Sequence, residues 1–145
     1  MSLLIHVECL NNTIKHTVID EGAAASVMSL SCWKGLGSPK LSIFATMLTD
    51  FDGRSVQSHR IIPSLKFQLG GKTVAIEVEV VDAPLDYNLL LGWNWMYSMQ
   101  AVASSLFRVI CFPFNGNIVM IDQNSFHNPS VNASSGASIL IIDHS

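Results

Sequence analysis

Thr17-Val18-Ile19-Asp20-Glu21-Gly22-Ala23 leads from an apolar β-strand into an acidic residue and then into a turn that contains glycine. A turn of this kind can hold a carboxylate rigidly and present backbone N–H groups to it, and the glycine lets other backbone approach closely. Asp20 is therefore a candidate functional carboxylate. Taken alone, an Asp-x-Gly turn is more often an ordinary solvated turn, and that alternative stays open at this point.

A second informative stretch, Leu89-Leu90-Leu91-Gly92, is an apolar run that ends in glycine. It follows the turn Ala83-Pro84-Leu85 and precedes a segment with helical spacing. By itself it predicts one more core strand with a glycine at its end. Its position after the Asp20 turn is what connects it with function.

Alternation with a period of two dominates the chain and predicts an all-β domain. From Thr73 to Val81, valine and isoleucine alternate with smaller or charged residues, which is typical of a half-buried strand. Ser64–Leu69 alternates in the same way, and Gly70-Gly71 joins the two runs into a tight hairpin. The same signals predict two further hairpins: Leu3–Leu10 with Ile14–Ile19 around Asn11-Asn12, and Leu106–Phe112 with Ile118–Ile121 around Asn115-Gly116.

Helical signals are few. Ser29–Lys34 predicts a short helix that Gly35 and Gly37 end. Asn94 is the predicted N-cap of a second helix over Trp95–Val102, with Trp95, Met99 and Val102 on one face.

The composition changes after about Gln123, where Asn, Ser, Pro and Gly become frequent. This change predicts one domain over residues 1–123 and a loosely ordered Asn/Ser-rich tail over 124–145. The tail is predicted to end in a short apolar strand, Ile139–Ile142.

Composition limits the classes of function. The chain has 145 residues, enough for one domain, and 49% of them are hydrophobic while only 13% are charged. So apolar a composition indicates that some apolar surface is covered by a partner. The net charge of -3 lacks the basic footprint of a nucleic-acid-binding protein.

Other sequence signals concern membranes, metals and the cellular compartment. No stretch predicts a transmembrane segment or a signal peptide, and the expectation is an intracellular, cytoplasmic protein without membrane contact. Cys9, Cys32 and Cys111 form no CxxC pair and predict buried free thiols in a reducing compartment. The five histidines share no ligand spacing with them, so neither a metal site nor a cofactor is expected.

The order of these blocks resembles that of the retropepsin-like aspartic proteases, and most closely the protease segment of plant gypsy-type retrotransposon polyproteins. The resemblance runs from about Leu3 to Gln123, and its blocks are specific together but not singly. It implies a single-lobe acid-protease barrel, all-β, with a flap hairpin and one or two short helices. The blocks are Phe51-Asp52-Gly53-Arg54, Val80-Val81-Asp82-Ala83-Pro84-Leu85, Tyr87-Asn88-Leu89-Leu90-Leu91-Gly92 and Met99-Gln100-Ala101-Val102.

The resemblance also implies a role for each matching position. Asp20 falls on the catalytic aspartate of the family, and Glu21, Gly22 and Ala23 fall on the rest of its active-site turn. A single lobe supplies one aspartate, so the implied enzyme is a homodimer that hydrolyses a polypeptide with a water activated by an Asp20/Asp20 dyad. The remaining roles are support behind the turn for Leu91 and Gly92, and a substrate-covering flap for Ser42–His59, tipped around Phe51-Asp52-Gly53.

Two positions depart from the family pattern. Glu21 stands where the family has a threonine or serine whose hydroxyl bonds across the dimer, and Trp93 stands where an arginine usually supports the dimer by ion pairing. Two functions therefore remain: an aspartic endopeptidase of retroelement type, and a catalytically impaired module of the same fold that dimerises or binds peptides. Asp20, Gly22 and Gly92 favour the first, and Glu21 and Trp93 favour the second.

Overall fold

A computed structural model describes residues 3–50, 53–123 and 139–143 of the chain. The described part is mostly β-structure with two short helices, as the alternation of the sequence predicts. The strands are β1 Leu3–Cys9, β2 Asn12–Ile19, β3 Ser26–Ser29, β4 Ser42–Asp50, β5 Gly53–Leu69, β6 Lys72–Val81, β7 Leu89–Leu91, β8 Val102–Ser104, β9 Val109–Phe114, β10 Asn117–Asp122 and β11 Ile139–Asp143. The helices are α1 Leu30–Gly35 and α2 Trp93–Met99.

Six strands close into a barrel in the order β1-β2-β7-β3-β6-β5, and a pairing of β1 with β5 at Glu8 and Gln68 completes the ring. The short strand β7 lies between β2, to which it is parallel, and β3, to which it is antiparallel. Its Leu89 and Leu91 side chains are fully buried, so the apolar run is part of the hydrophobic core. This position places the end of β7 directly beside the end of β2, where Asp20 follows.

The predicted hairpins form because their turns contain residues that tolerate positive φ. Gly70-Gly71 and Asn115-Gly116 join their strands as predicted, all four residues with positive φ. The first hairpin differs by one residue from the prediction. Cys9 pairs with Asn12, so the turn is Leu10-Asn11 rather than Asn11-Asn12.

The strand Thr73–Val81 is confirmed as half-buried within β6, with Ile76, Val78 and Val80 in the core. The third predicted hairpin begins later than expected, because residues 105–108 form turns before β9 starts at Val109. The predicted strand at the end of the tail is confirmed as β11, which pairs in parallel with β10. Residues 124–138 of the predicted tail lie outside the described residues.

Helix α1 agrees with the prediction, since the Ser29 hydroxyl accepts the Cys32 N–H and caps its first turn. The prediction for the second helix is wrong in its N-cap and its bounds. The N-cap is Gly92, the helix ends at Met99, and Val102 is an exposed residue of β8. Trp95 and Met99 do lie on one buried face, as predicted.

A second sheet of four strands, in the order β11-β10-β9-β8, packs its buried side chains into the same hydrophobic core. Lys72 at the start of β6 ties the two sheets together. Its ammonium group donates to the Met99 carbonyl at 2.7 Å and to the Pro113 carbonyl at 3.0 Å. Desolvation lowers the pKa of Lys72 from its ordinary value.

Candidate active site

Asp20 is held in a turn directly after β2. Its backbone N–H donates to the Leu91 carbonyl at 3.0 Å, which fixes the turn to the end of β7. Its carboxylate oxygen Oδ1 accepts the Gly22 N–H at 2.9 Å, and its carbonyl accepts the Ala23 N–H at 3.1 Å. The half-buried Asp20 side chain therefore has a defined orientation, because backbone on both sides of it is bonded.

The Asp20 carboxylate leaves little room for a side chain at position 22, which glycine occupies. A Cβ at this position would lie 3.2 Å from Asp20 Oδ1, a tighter contact than nine in ten real Cβ contacts. A larger residue would press on the carboxylate that the Gly22 N–H holds.

Gly92 lies against the same turn from behind. A Cβ at Gly92 would collide with the Ala25 carbonyl oxygen and would lie 2.7 Å from the Ala23 carbonyl oxygen. The next residue, Trp93, donates its N–H to that Ala23 carbonyl at 2.6 Å. Leu91, Gly92 and Trp93 thus contact the Asp20 turn through backbone, where the resemblance places the supporting segment.

A polar pair under the turn was missed by the sequence analysis. The Ser26 hydroxyl, 1% exposed, accepts the Gly92 N–H at 3.0 Å and donates to Asn94 Oδ1 at 2.6 Å. Asn94 in turn donates from Nδ2 to the Glu77 carbonyl at 2.9 Å. The signal was a serine on the same strand face as buried Met28, because a polar side chain at a core position needs a hydrogen-bond partner.

Strand β4 and the first part of β5 form a long antiparallel arm where the flap is predicted, with Asp50 opposite Gly53 at its far end. Phe51 and Asp52, which belong to the predicted tip, lie outside the described residues. His59 on this arm contacts Glu79 of β6, with 3.1 Å between Nδ1 and Oε2. That ion pair connects the base of the arm to the barrel when His59 is protonated.

The register shows which face of the arm continues the inner face of the barrel. Ile62 pairs with Val78 and both are buried, so residues of the same parity along β5 share the face that points to the core. Val56 has that parity, and its partner is Met47. Ile43 lies on the same face, opposite Arg60. We call the exposed apolar residues of this face, Val56, Met47 and Ile43, the apolar strip; they are 64%, 62% and 71% exposed respectively.

Other chemical possibilities receive no support from the described residues. No group of three or more His, Cys, Asp or Glu side chains there could hold a metal ion. Glu21 is exposed next to Asp20. The three cysteines are free, and burial raises the pKa of each thiol, that of Cys9 to about 12.

None of the helices in the described part of the chain has the length and apolar character needed to cross a membrane.

Comparison with known proteins gives a structural likeness only. No protein-family model matches the chain, and no curated protein matches it. Among solved structures, it is similar to the retroviral protease-like domain of Ddi1 from Leishmania major, with a TM-score of 0.58 and 17% sequence identity. The match covers 77% of this chain and 90% of that chain. The fold is therefore retropepsin-like, and the fold prediction is confirmed.

Proposed function

We propose that this chain is an aspartic endopeptidase of retroelement type, active as a homodimer in which each copy contributes Asp20. The observation that carries the proposal is the Asp20 turn, whose carboxylate is oriented by the Gly22 N–H and whose backbone is bonded to Leu91 on a retropepsin-like barrel. One such turn per chain is half of the catalytic apparatus, since this chemistry needs two carboxylates.

The proposed mechanism follows from placing two Asp20 carboxylates together. Two carboxylates at close range hold one proton between them, and aspartic proteases are the best-known example of this effect. The ionised carboxylate takes a proton from water while that water attacks the carbonyl carbon, and the protonated one donates to the carbonyl oxygen. As the C–N bond breaks, the carboxyl group that took the proton from water gives it to the leaving nitrogen, and a hydroxyl of the gem-diol gives its proton to the other carboxylate, so that the dyad again holds one proton.

The apolar strip on the arm supports an extended peptide as the substrate. In this proposal the arm of β4 and β5 closes over the peptide and turns Ile43, Met47 and Val56 toward it. Alternate side chains of an extended peptide point the same way, so an apolar strip favours apolar side chains near the cleaved bond.

A cleavage assay tests the proposal. Peptides with apolar residues around the central bond are incubated with the parent protein and with Asp20→Asn from acidic to neutral pH. The matched control is Asp82→Asn, the same change at an exposed carboxylate after β6. Cleavage by the parent and the control, and none by Asp20→Asn, is the expected result. Equal cleavage by all three would mean that Asp20 is not catalytic.

A non-catalytic module of the same fold is the second candidate, and Glu21 is the observation that favours it. If Glu21 faces the dyad of a dimer, its negative charge makes it harder for the dyad to lose the first of its two protons and reach the active state with one. Glu21→Thr should then increase the cleavage rate and move the ascending acid limb of the rate profile to lower pH. Inactivity of both proteins, in a dimer that pairs Asp20 with Asp20, would favour the module.

A further inference from the structure

The side chain of Asp20 points away from the barrel core. The ladder between β2 and β7 continues to this residue, because the Asp20 N–H donates to the Leu91 carbonyl just beyond the pairing of Ile19 with Leu91. Successive side chains of a strand alternate between its two faces. Since Ile19 is buried in the core, Asp20 shares the opposite, outer face with half-buried Val18. A peptide that reaches Asp20 therefore lies against the outer face of the barrel.

A row of apolar side chains crosses this outer face beside Asp20. Val18 pairs with Leu90 of β7, Leu90 pairs with Val27 of β3, and Val27 pairs with Glu79 of β6. All four are half-buried, while their neighbours along each strand are buried, so the four side chains share the outer face. We call Val18, Leu90 and Val27 the apolar track. It begins beside Asp20 and ends at the Glu79 carboxylate.

Glu79 places a carboxylate at the end of the apolar track. Its Oε2 lies 3.1 Å from His59 Nδ1, and the Glu79 side chain is 35% exposed. In the described part of the chain its other oxygen, Oε1, has no partner, so this oxygen can accept a hydrogen bond from a ligand. An ammonium or guanidinium group is the favoured ligand, because a carboxylate binds these cations through charge-assisted hydrogen bonds.

The length of the apolar track sets which residue of a peptide reaches Glu79. Neighbouring strands lie about 4.8 Å apart, so the three steps from Val18 to Glu79 span about 14 Å. An extended peptide advances about 3.4 Å per residue, and this span corresponds to about four residues. Alternate side chains of such a peptide point to the same side, so a residue about four positions away faces the barrel whenever the residue beside Asp20 does.

We propose that Glu79 is a specificity-determining residue that binds a lysine or arginine side chain about four residues from the cleaved bond. The inference rests on the proposed function, which brings a polypeptide to Asp20, and it names the class of that polypeptide as apolar around the cleaved bond and basic beyond it. His59 is a positioning residue, because it holds the Glu79 carboxylate from the base of the arm. Beyond His59 the arm is a two-stranded ribbon, and such ribbons twist strongly, so the apolar strip can turn over the track.

Peptide binding to the full chain with Asp20→Asn tests the inference without cleavage. Fluorescent peptides with apolar residues at the centre carry lysine, glutamate or norleucine about four residues to either side of it. Their affinities are measured by fluorescence anisotropy at neutral pH, at which carboxylates are ionised and histidine is mostly neutral. The lysine peptide should bind at least about tenfold more tightly than the glutamate peptide, with the norleucine peptide between them.

Substitutions added to the Asp20→Asn protein identify the group that is responsible. Glu79→Gln removes the charge and keeps the shape, and it should reduce the preference for lysine to less than about twofold. Asp82→Asn, at the exposed carboxylate just after β6, is the control and should leave the preference unchanged. His59→Gln keeps the charge of Glu79 and should retain a preference for lysine. Urea unfolding of each variant separates a lost contact from a lost fold.

The outcomes separate this inference from the proposed function. Equal affinity for the lysine and glutamate peptides, a preference that survives Glu79→Gln, an equal loss of preference in Asp82→Asn, or no binding of any peptide overturns the role of Glu79. Cleavage of the apolar peptides by the parent would then leave the protease proposal standing. A preference that depends on Glu79, in a protein whose parent cleaves none of these peptides, overturns the protease proposal and supports peptide binding along the track.

Discussion

Gly92→Ala is the substitution for which the structure predicts the clearest cost. The added Cβ would collide with the Ala25 carbonyl oxygen and would lie 2.7 Å from the Ala23 carbonyl oxygen, about 0.7 Å short of the 3.4 Å at which ordinary contact begins. Both obstacles are backbone, which cannot rotate away as a side chain can. Since Gly92 has φ -97°, the requirement for glycine here is steric and not conformational.

The magnitude follows from what must move. Relief of the collision displaces the segment after Asp20, which carries the bond from the Trp93 N–H to the Ala23 carbonyl. Overpacking of this kind costs about 1–3 kcal/mol. The melting temperature of a chain of this length falls by about 2–4 °C for each kcal/mol. We also expect the displaced turn to reduce any cleavage activity by more than the loss of folded protein explains.

Urea and thermal unfolding check the prediction against Gly35→Ala. A Cβ at Gly35, the last residue of α1, would have open space within 4 Å, and this substitution should be neutral or slightly stabilising. If Gly92→Ala unfolds at the same midpoint as the parent and as Gly35→Ala, then the close approach of β7 to the Asp20 turn is wrong.

Three further predictions concern polar groups. Ser26→Ala leaves the buried Gly92 N–H without its acceptor and should lower the free energy of urea unfolding by about 1–3 kcal/mol. A double-mutant cycle of Ser26→Ala with Asn94→Ala that gives no coupling energy would contradict the 2.6 Å hydrogen bond between Ser26 and Asn94. Lys72→Met removes an ammonium group that donates to two carbonyls and should lower the free energy of unfolding by about 1–2 kcal/mol. The control, Lys66→Met at an exposed lysine, should leave it unchanged. Equal unfolding midpoints for these two variants would argue against the link between the sheets. Burial raises the pKa of Cys9 to about 12 in the folded protein, so the unfolded chain loses this thiol proton at lower pH, and the free energy of unfolding should decline as pH rises from about 9 toward 12. The decline should be smaller in Cys9→Val. Parallel curves of unfolding free energy against pH for the two proteins would count against the raised pKa.

Much of the fold was predictable because its signals are local. The strand β6 and the last part of β5, Ser64–Leu69, follow from alternation, and Gly70-Gly71 supplies the two positive φ angles of their turn. The one-residue error at the first turn has a physical reason. Leu10 adopts a positive φ that its side chain disfavours, and the pairing of Cys9 with Asn12 imposes it.

The candidate site was predictable only in part. The order of the Asp20 turn and the Leu91-Gly92 run indicated that they belong together, and a hydrogen bond now joins them. Asn94 was predicted as a helix cap because an N-cap preference is a local property. In the structure its side chain bonds to Ser26, which is 68 residues away in sequence, and helix α2 begins at Trp93, two residues earlier than predicted.

The sequence by itself determined the all-β class, the positions of the glycine turns and the candidate aspartate, because alternation and positive φ are encoded in neighbouring residues. Only the tertiary structure decided that β7 inserts between β2 and β3, that Ser26 supports Gly92, and that Trp93 donates its N–H to the Asp20 turn. Those features depend on contacts between residues far apart in the chain, and the free energy of such contacts exists only once the barrel has closed.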